Sequence, residues 1–204
     1  KQEGNYFENL LTYSLKLNKL DQNFEPSDGY VNFFSQTLPI ISDDLSIENT
    51  FSSAAYHTLG NNLIFSANLY MQAINSLDDN VRISKRAYLP SRRLRGFESG
   101  KIGPKDGNQF IGGNYATSLN LNSKIPNIFF ENEDVDFNLF VDFANVWEVD
   151  YNDSLDSNKI RSSTGFALNW FSPIGPFTFS YAIPLSEADT DITEKFRFQI
   201  GTSF

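Results

Sequence analysis

The chain has 204 residues, 25 acidic against 16 basic, for a formal net charge of -9. That balance argues against a nucleic-acid partner, and the lack of cysteine excludes disulfides, thiolate metal sites and a cysteine nucleophile. Aromatic residues are abundant, with Phe 20, Tyr 9 and Trp 2, yet no apolar run approaches the ~18 residues of a membrane helix.

Alternation with period 2 recurs along most of the chain and predicts strands over 6–20, 29–39, 46–59, 62–76, 112–124, 134–147, 159–172, 176–184 and 194–204. In the first, Leu11, Tyr13, Leu15 and Leu17 oppose Thr12, Ser14, Lys16 and Asn18. In the sixth, Val135, Phe137, Leu139, Val141 and Phe143 oppose Asp136, Asn138, Phe140 and Asp142. In the eighth, Phe177, Phe179, Tyr181 and Ile183 oppose Thr178, Ser180 and Ala182. The last puts Phe196, Phe198, Ile200 and Phe204 opposite Lys195, Arg197, Gln199 and Ser203.

The predicted fold class is therefore all-β. Several strands exceed the ~5–6 residues usual in soluble proteins and reach the ~9–11 of a tilted membrane strand. A soluble sandwich or lipocalin-like barrel would bury the apolar face, whereas a transmembrane antiparallel β-barrel turns it outward to lipid. Phe, Tyr, Leu and Ile on strand after strand favour the membrane barrel. The connections agree: "LGNN" (59–62) and "PIG" (173–175) read as tight turns, and 148–158 and 185–194 as long acidic loops. Nine strands is an odd count, and single-chain bacterial barrels usually have an even one. With Lys1 opening the chain and no signal segment behind it, the expectation is a piece of a longer product.

Enzyme signatures fail one by one. "GFESGK" (96–101) has three residues between its glycines instead of the four of a phosphate-binding loop, and Ile102 follows where Ser or Thr would hold magnesium. The only histidine, His57, sits in a predicted strand with no acidic neighbour in sequence, so it reads as an ordinary strand residue. Asp150, Asp153 and Asp156, or Asp189 and Asp191, lack the spacing of a calcium loop and read as solvated loop charge. No catalytic residue, metal site or cofactor is expected.

What remains is the connection 77–111. Its length exceeds the ~12–15 residues beyond which a loop is usually functional or disordered. Arg82, Lys85, Arg86, Arg92, Arg93 and Arg95 crowd one part of it, and Gly96, Gly100, Gly103 and Gly107, with Gly112 and Gly113 just beyond, allow it to fold back on itself. Asp136 and Asp142, on the polar face of the sixth strand, are the candidate counter-charges.

The motifs in this loop resemble those of the BamA family (bacterial surface antigens) of outer-membrane barrel-assembly factors. "LRGF" (Leu94, Arg95, Gly96, Phe97) followed by "IGPK" (102–105) is similar to the family's sixth external loop, with Leu94 for the usual Val. "FVDFA" (140–144) resembles its Phe-x-Asp-x-Gly strand, with Ala144 for Gly. "LDQNFEPSDGY" (20–30), "NWFSPIGPFTFSYAIPL" (169–185) and "FRFQIGTSF" (196–204) extend the likeness along the chain.

The resemblance implies the last nine strands of a sixteen-stranded barrel, with N-terminal periplasmic domains outside this segment. It places loop 77–111 in the lumen, with Arg95 reaching Phe140 and Asp142. It implies no enzyme activity but the folding and insertion of client β-barrel proteins into the bacterial outer membrane. Accessory lipoproteins would bind through the missing periplasmic domains. The closing strand, with Phe196, Phe198, Ile200, Gly201 and Phe204, is the expected seam: Gly201 would loosen it and Phe204 anchor it at the interface. A sibling translocation and assembly module, or a two-partner secretion transporter, shares the Arg-Gly-aromatic loop. From another class, a passive porin would need neither loop nor seam.

Overall fold

The computed structural model describes residues 5–60, 63–78, 80–126, 135–155, 159–172 and 175–201. Nine antiparallel strands form one sheet in chain order: β1 (Glu8–Asn18), β2 (Gly29–Ser42), β3 (Ser46–Leu59), β4 (Leu63–Ser76), β5 (Tyr115–Pro126), β6 (Val135–Trp147), β7 (Arg161–Ser172), β8 (Gly175–Ser186) and β9 (Phe196–Ile200). Each predicted strand is present. Strands β2 to β8 run for 12 to 14 residues, long enough to cross a bilayer at a tilt. Among the described residues β1 and β9 each have one neighbour, so the sheet is an open meander and barrel closure is not seen.

The two faces settle which way the alternation points. Leu139, Phe143, Phe166, Trp170, Phe179, Tyr181, Ile183, Phe196, Phe198 and Ile200 are all exposed, while Asp136, Asn138, Phe140 and Asp142 are buried. A soluble sandwich would show the reverse, because exposing so large an apolar face to water is unfavourable. Here the outward face is a band of aromatic and aliphatic side chains suited to lipid, laced by ring contacts such as Phe177–Phe198 at 5.7 Å and Phe166–Tyr181 at 5.8 Å.

At one end of the sheet β2 leads to β3, β4 to β5, β6 to β7 and β8 to β9; at the other β1 leads to β2, β3 to β4, β5 to β6 and β7 to β8. The expected contrast between long loops and short turns is thus only partial. Connection 43–45 is short at the loop end, and 19–28 is long at the turn end, where it is held by Ser27 bonding to the Asp21 carboxylate and by Phe24 packing on Phe171. The fourth connection leaves β4, folds across the inner face and returns to β5. Val81, Ala87, Leu89, Leu94, Phe97 and Ile102 pack with Ile74, Ala116, Ala144 and Val146 into a buried hydrophobic cluster. Much of the inner face of the sheet is polar, so this loop, packed on Ile74 and Val146, supplies much of the apolar filling there.

The closing strand differs from expectation. The alternation suggested 194–204, but β9 is Phe196–Ile200. Thr193 and Glu194 instead pair, antiparallel, with Phe97 and Gly96 of the inner loop. On the β8 side the bonding reaches back to Lys195, whose carbonyl accepts from the Ala182 N–H at 2.8 Å. Phe204 lies outside the described residues.

Candidate functional site

The Leu94–Phe97 motif lies on a floor made by β5 to β8. Arg95 is its centre. Its Nε donates to Asp142 Oδ2 at 2.7 Å and its Nη2 to Asp142 Oδ1 at 2.6 Å, a two-pronged pair. Nη2 also donates to Asn122 Oδ1 at 2.7 Å, and the Arg95 backbone N–H donates to Asp142 Oδ2 at 3.1 Å. The guanidinium carbon stands 3.5 Å from the centre of the Phe140 ring. The Asp142 side chain is 0% exposed and that of Arg95 18%, so the pair sits in the regime where water screens little.

Register explains how these residues meet. Asn122, Phe140, Gly165 and Ala182 stand opposite one another across β5, β6, β7 and β8, all on the inner face. Asn122 and Phe140 hold the guanidinium, while Gly165 and Ala182 leave room for what lies above. A Cβ at Gly165 would fall 2.0 Å from Tyr181 O and 2.9 Å from Phe140 Cζ. Glycine in a strand interior costs roughly 0.5–1 kcal/mol relative to alanine, and close approach of the ring and the neighbouring strand accounts for it here. Gly96 adopts φ +90, and its own Cβ would meet those of Ala182 at 3.2 Å and Ser163 at 3.3 Å. Ser163 Oγ donates to the Arg95 carbonyl at 2.5 Å, and Asn120 Nδ2 donates to that of Arg93 at 3.0 Å. Asn120, Asn122, Ser163 and Gly165 were not singled out from the sequence; the alternation in "SLNLN" (118–122), which puts both asparagines on the inner face with Asp142, was the signal available.

The rest of the basic run is dispersed. Arg82 pairs with Glu8 and Asp44 and lies over the Tyr6 ring, and Lys85 also reaches Glu8 at 2.5 Å, so the loop's root is tied to β1. Burial would push the Asp44 carboxyl up, but the Ser46 hydroxyl and Arg82 outweigh it and hold it below 3.8. Arg93 stacks at 3.8 Å on the Tyr70 ring.

Three sequence readings need correction. Asp136 is no counter-charge for the loop: it pairs with Lys124 at 2.6 Å near the turn end, and Lys124 also meets Glu25 at 3.0 Å. Its position on β6 puts it three inward-facing residues away from Asp142, too far along the strand to serve the same arginine. Asp191 is not solvated charge, and Asp150, though exposed, is bonded to the loop. Asp191 forms a second two-pronged pair with Arg161, at 2.9 and 3.0 Å, with both side chains 0% exposed. Asp150 accepts from the Val81 N–H at 2.8 Å. A loop aspartate such as Asp191 becomes buried when the loop folds over a strand, which spacing alone does not reveal. Ala144, the departure from the motif's glycine, is buried in the hydrophobic cluster and leaves the Arg95–Asp142 pair intact.

No group of three or more His, Cys, Asp and Glu among the described residues could hold a metal ion. His57 lies 3.4 Å from Asp28 at the exposed turn end, away from the motif.

A model of the Omp85 superfamily domain matches residues 1–204. The chain is 32% identical over 139 residues to the outer membrane protein assembly factor BamA of Neisseria meningitidis, covering 54% of this chain and 17% of that protein. It is 26% identical over 205 residues to the protein of the same name from Neorickettsia risticii, covering 95% of this chain and 27% of that protein. The crystal structure of BamA from Haemophilus ducreyi lacking POTRA domains 1–3 superposes with a TM-score of 0.85 at 28% identity, over 93% of this chain and 41% of that one. The chain thus spans well under half the length of these relatives.

Proposed function

The chain belongs to the Omp85 superfamily, and from that premise we propose that it is the last nine strands of a sixteen-stranded outer-membrane barrel that folds and inserts client β-barrel proteins. Its place is the outer membrane, with the loop end outside and the turn end facing the periplasm. The work is exchange of hydrogen bonds between strands, with no bond made or broken.

One observation carries this reading: among the described residues the ladder joining the last strand to β8 is short, while the inner loop is held firmly. Among the described residues β9 pairs with β8 from Phe196–Tyr181 to Ile200–Phe177, flanked by backbone bonds from Ala182 N–H to Lys195 O and from Gly201 N–H to Pro176 O at 2.8 Å, whereas β7 and β8 pair from Ser162–Ser186 to Ser172–Gly175. In lipid an unpaired backbone group costs several kcal/mol, so a short ladder is an edge that gains from accepting another strand. A client strand would add there by β-augmentation. Gly201, at φ +109 with open space around it, ends the described ladder. The Arg95–Asp142 pair would keep the lumen side of this seam in a fixed shape while the edge exchanges partners. Accessory lipoproteins would meet domains outside this segment. The shared loop motif leaves a sibling assembly module or secretion transporter as the runner-up. A passive porin would have no use for a loop filling its inner face.

The test is a photo-crosslinking residue at Phe198 or Ile200 of the full-length protein, with Phe166 in mid-sheet as control. Client adducts at the seam and none at Phe166 are expected. Adducts at neither seam position, in cells that still assemble clients, would refute the seam.

A further inference from the structure

Resting on the reading of β9 as the seam, we infer that Arg197 is a positioning residue that ties the closing strand to the inner loop. Arg197 lies on the inner face of β9, opposite Ser180 of β8. Its Nη1 donates to Ser91 Oγ in the loop, and its Nη2 donates to the Glu194 carboxylate. Glu194 is itself paired through its backbone with Gly96, in the centre of the Leu94–Phe97 motif. A closed circuit results, from Gly96 to Glu194, through the Arg197 guanidinium to Ser91, and back along the loop. Two backbone bonds extend it: Glu98 N–H to Ile192 O at 2.9 Å and Ile192 N–H to Lys101 O at 3.1 Å.

Among the described residues the tether reaches the strand at one end only. The segment leading into β9 is bonded to the loop at Ile192, Thr193 and Glu194, whereas Ile200 at the other end has Phe177 of β8 as its partner and is exposed. The docked loop therefore fixes the outer end of the seam, and the described ladder from Phe196 to Gly201 rests on β8 alone. Undocking of Arg95 from Asp142 would be felt at β9 through Gly96 and Glu194, which gives the motif a route to the seam without touching a client.

The experiment is amide hydrogen exchange on the full-length protein in lipid nanodiscs, following 193–200 and 94–97 separately. Arg197→Ala is expected to speed exchange over 193–200 by about tenfold or more, the effect of losing hydrogen bonds to a charged group, while 94–97 stay protected by Arg95–Asp142. Ser91→Ala should give a smaller increase at the same amides, and Arg197→Lys should recover part of the protection through Glu194. Arg95→Ala should speed exchange in both segments. Unchanged exchange over 193–200 in both Arg197→Ala and Ser91→Ala would overturn the tether. Because the readout needs no client, this failure is separable from failure of the seam: the crosslinks test one and the exchange rates the other.

Discussion

The Arg161–Asp191 pair offers a sharp test of how the external loop before β9 is held. Both side chains are 0% exposed, and Arg161 Nη1 also donates to Asn145 Oδ1 at 2.6 Å and to the Lys159 carbonyl at 2.8 Å. Asp191 Oδ2 accepts a further bond from the Ala188 N–H at 2.7 Å. Replacing Arg161 by Met leaves a buried carboxylate with only that N–H, so the cost falls in the range for breaking a buried pair, ~3–5 kcal/mol, not the ~0.2–1 of an exposed one. The chain has an escape, because loop 187–195 can lift and rehydrate Asp191. The loss should therefore appear as local opening, with exchange of the Ala188, Asp191 and Ile192 amides rising by roughly a hundredfold or more, and the β6–β7 ladder changing far less. Adding Asp191→Leu removes the stranded charge and should restore most of the protection at Asp191 and Ile192, though not at Ala188, whose N–H loses its carboxylate acceptor. If Arg161→Met alone changes these amides by less than about threefold, the pair is not the latch described and the burial argument fails.

Acid should loosen the root of the inner loop. The Asp44 carboxyl is held below 3.8 in the folded protein, so its stabilising contribution is complete above the unfolded value and is lost as pH falls through the lower folded one. The Arg82 Nε–H resonance should stay constant from neutrality to about pH 5 and titrate with a midpoint below 3.8; a midpoint above 3.8 would contradict the pairing. Gly165→Ala should overpack the floor of the motif at a cost of about 1–3 kcal/mol and displace the Phe140 ring from Arg95. A lowered denaturant midpoint in micelles, partly recovered by adding Phe140→Leu, is expected, and a wild-type midpoint would show that the ring does not depend on the glycine.

The strands were legible in the sequence because lipid on one side and a polar lumen on the other enforce strict alternation. The same alternation put Phe140 and Asp142 inward before any contact was known. Arg95 was legible as well, through its motif. Less legible was everything decided by chain segments meeting at long range. Thr193 and Glu194 continue the alternation of β9, yet they bond to Phe97 and Gly96, and no local pattern distinguishes one β-partner from another. Asp136 and Asp142 share a strand face and differ only in their position along it. Asp191 reads as a loop carboxylate until the loop lies over Arg161. Gly165 gave no signal of its own, since a strand glycine has many causes and this one depends on a ring brought alongside by register.

The most direct measurement is client assembly by the full-length protein carrying reversed charges at the loop contact. Arg95→Asp sets a second carboxylate against the buried Asp142, and assembly should be abolished although the protein still reaches the membrane. Adding Asp142→Arg restores opposite charges across the same contact and should recover part of the activity. Full assembly by Arg95→Asp alone would contradict the claim that the docked loop is required.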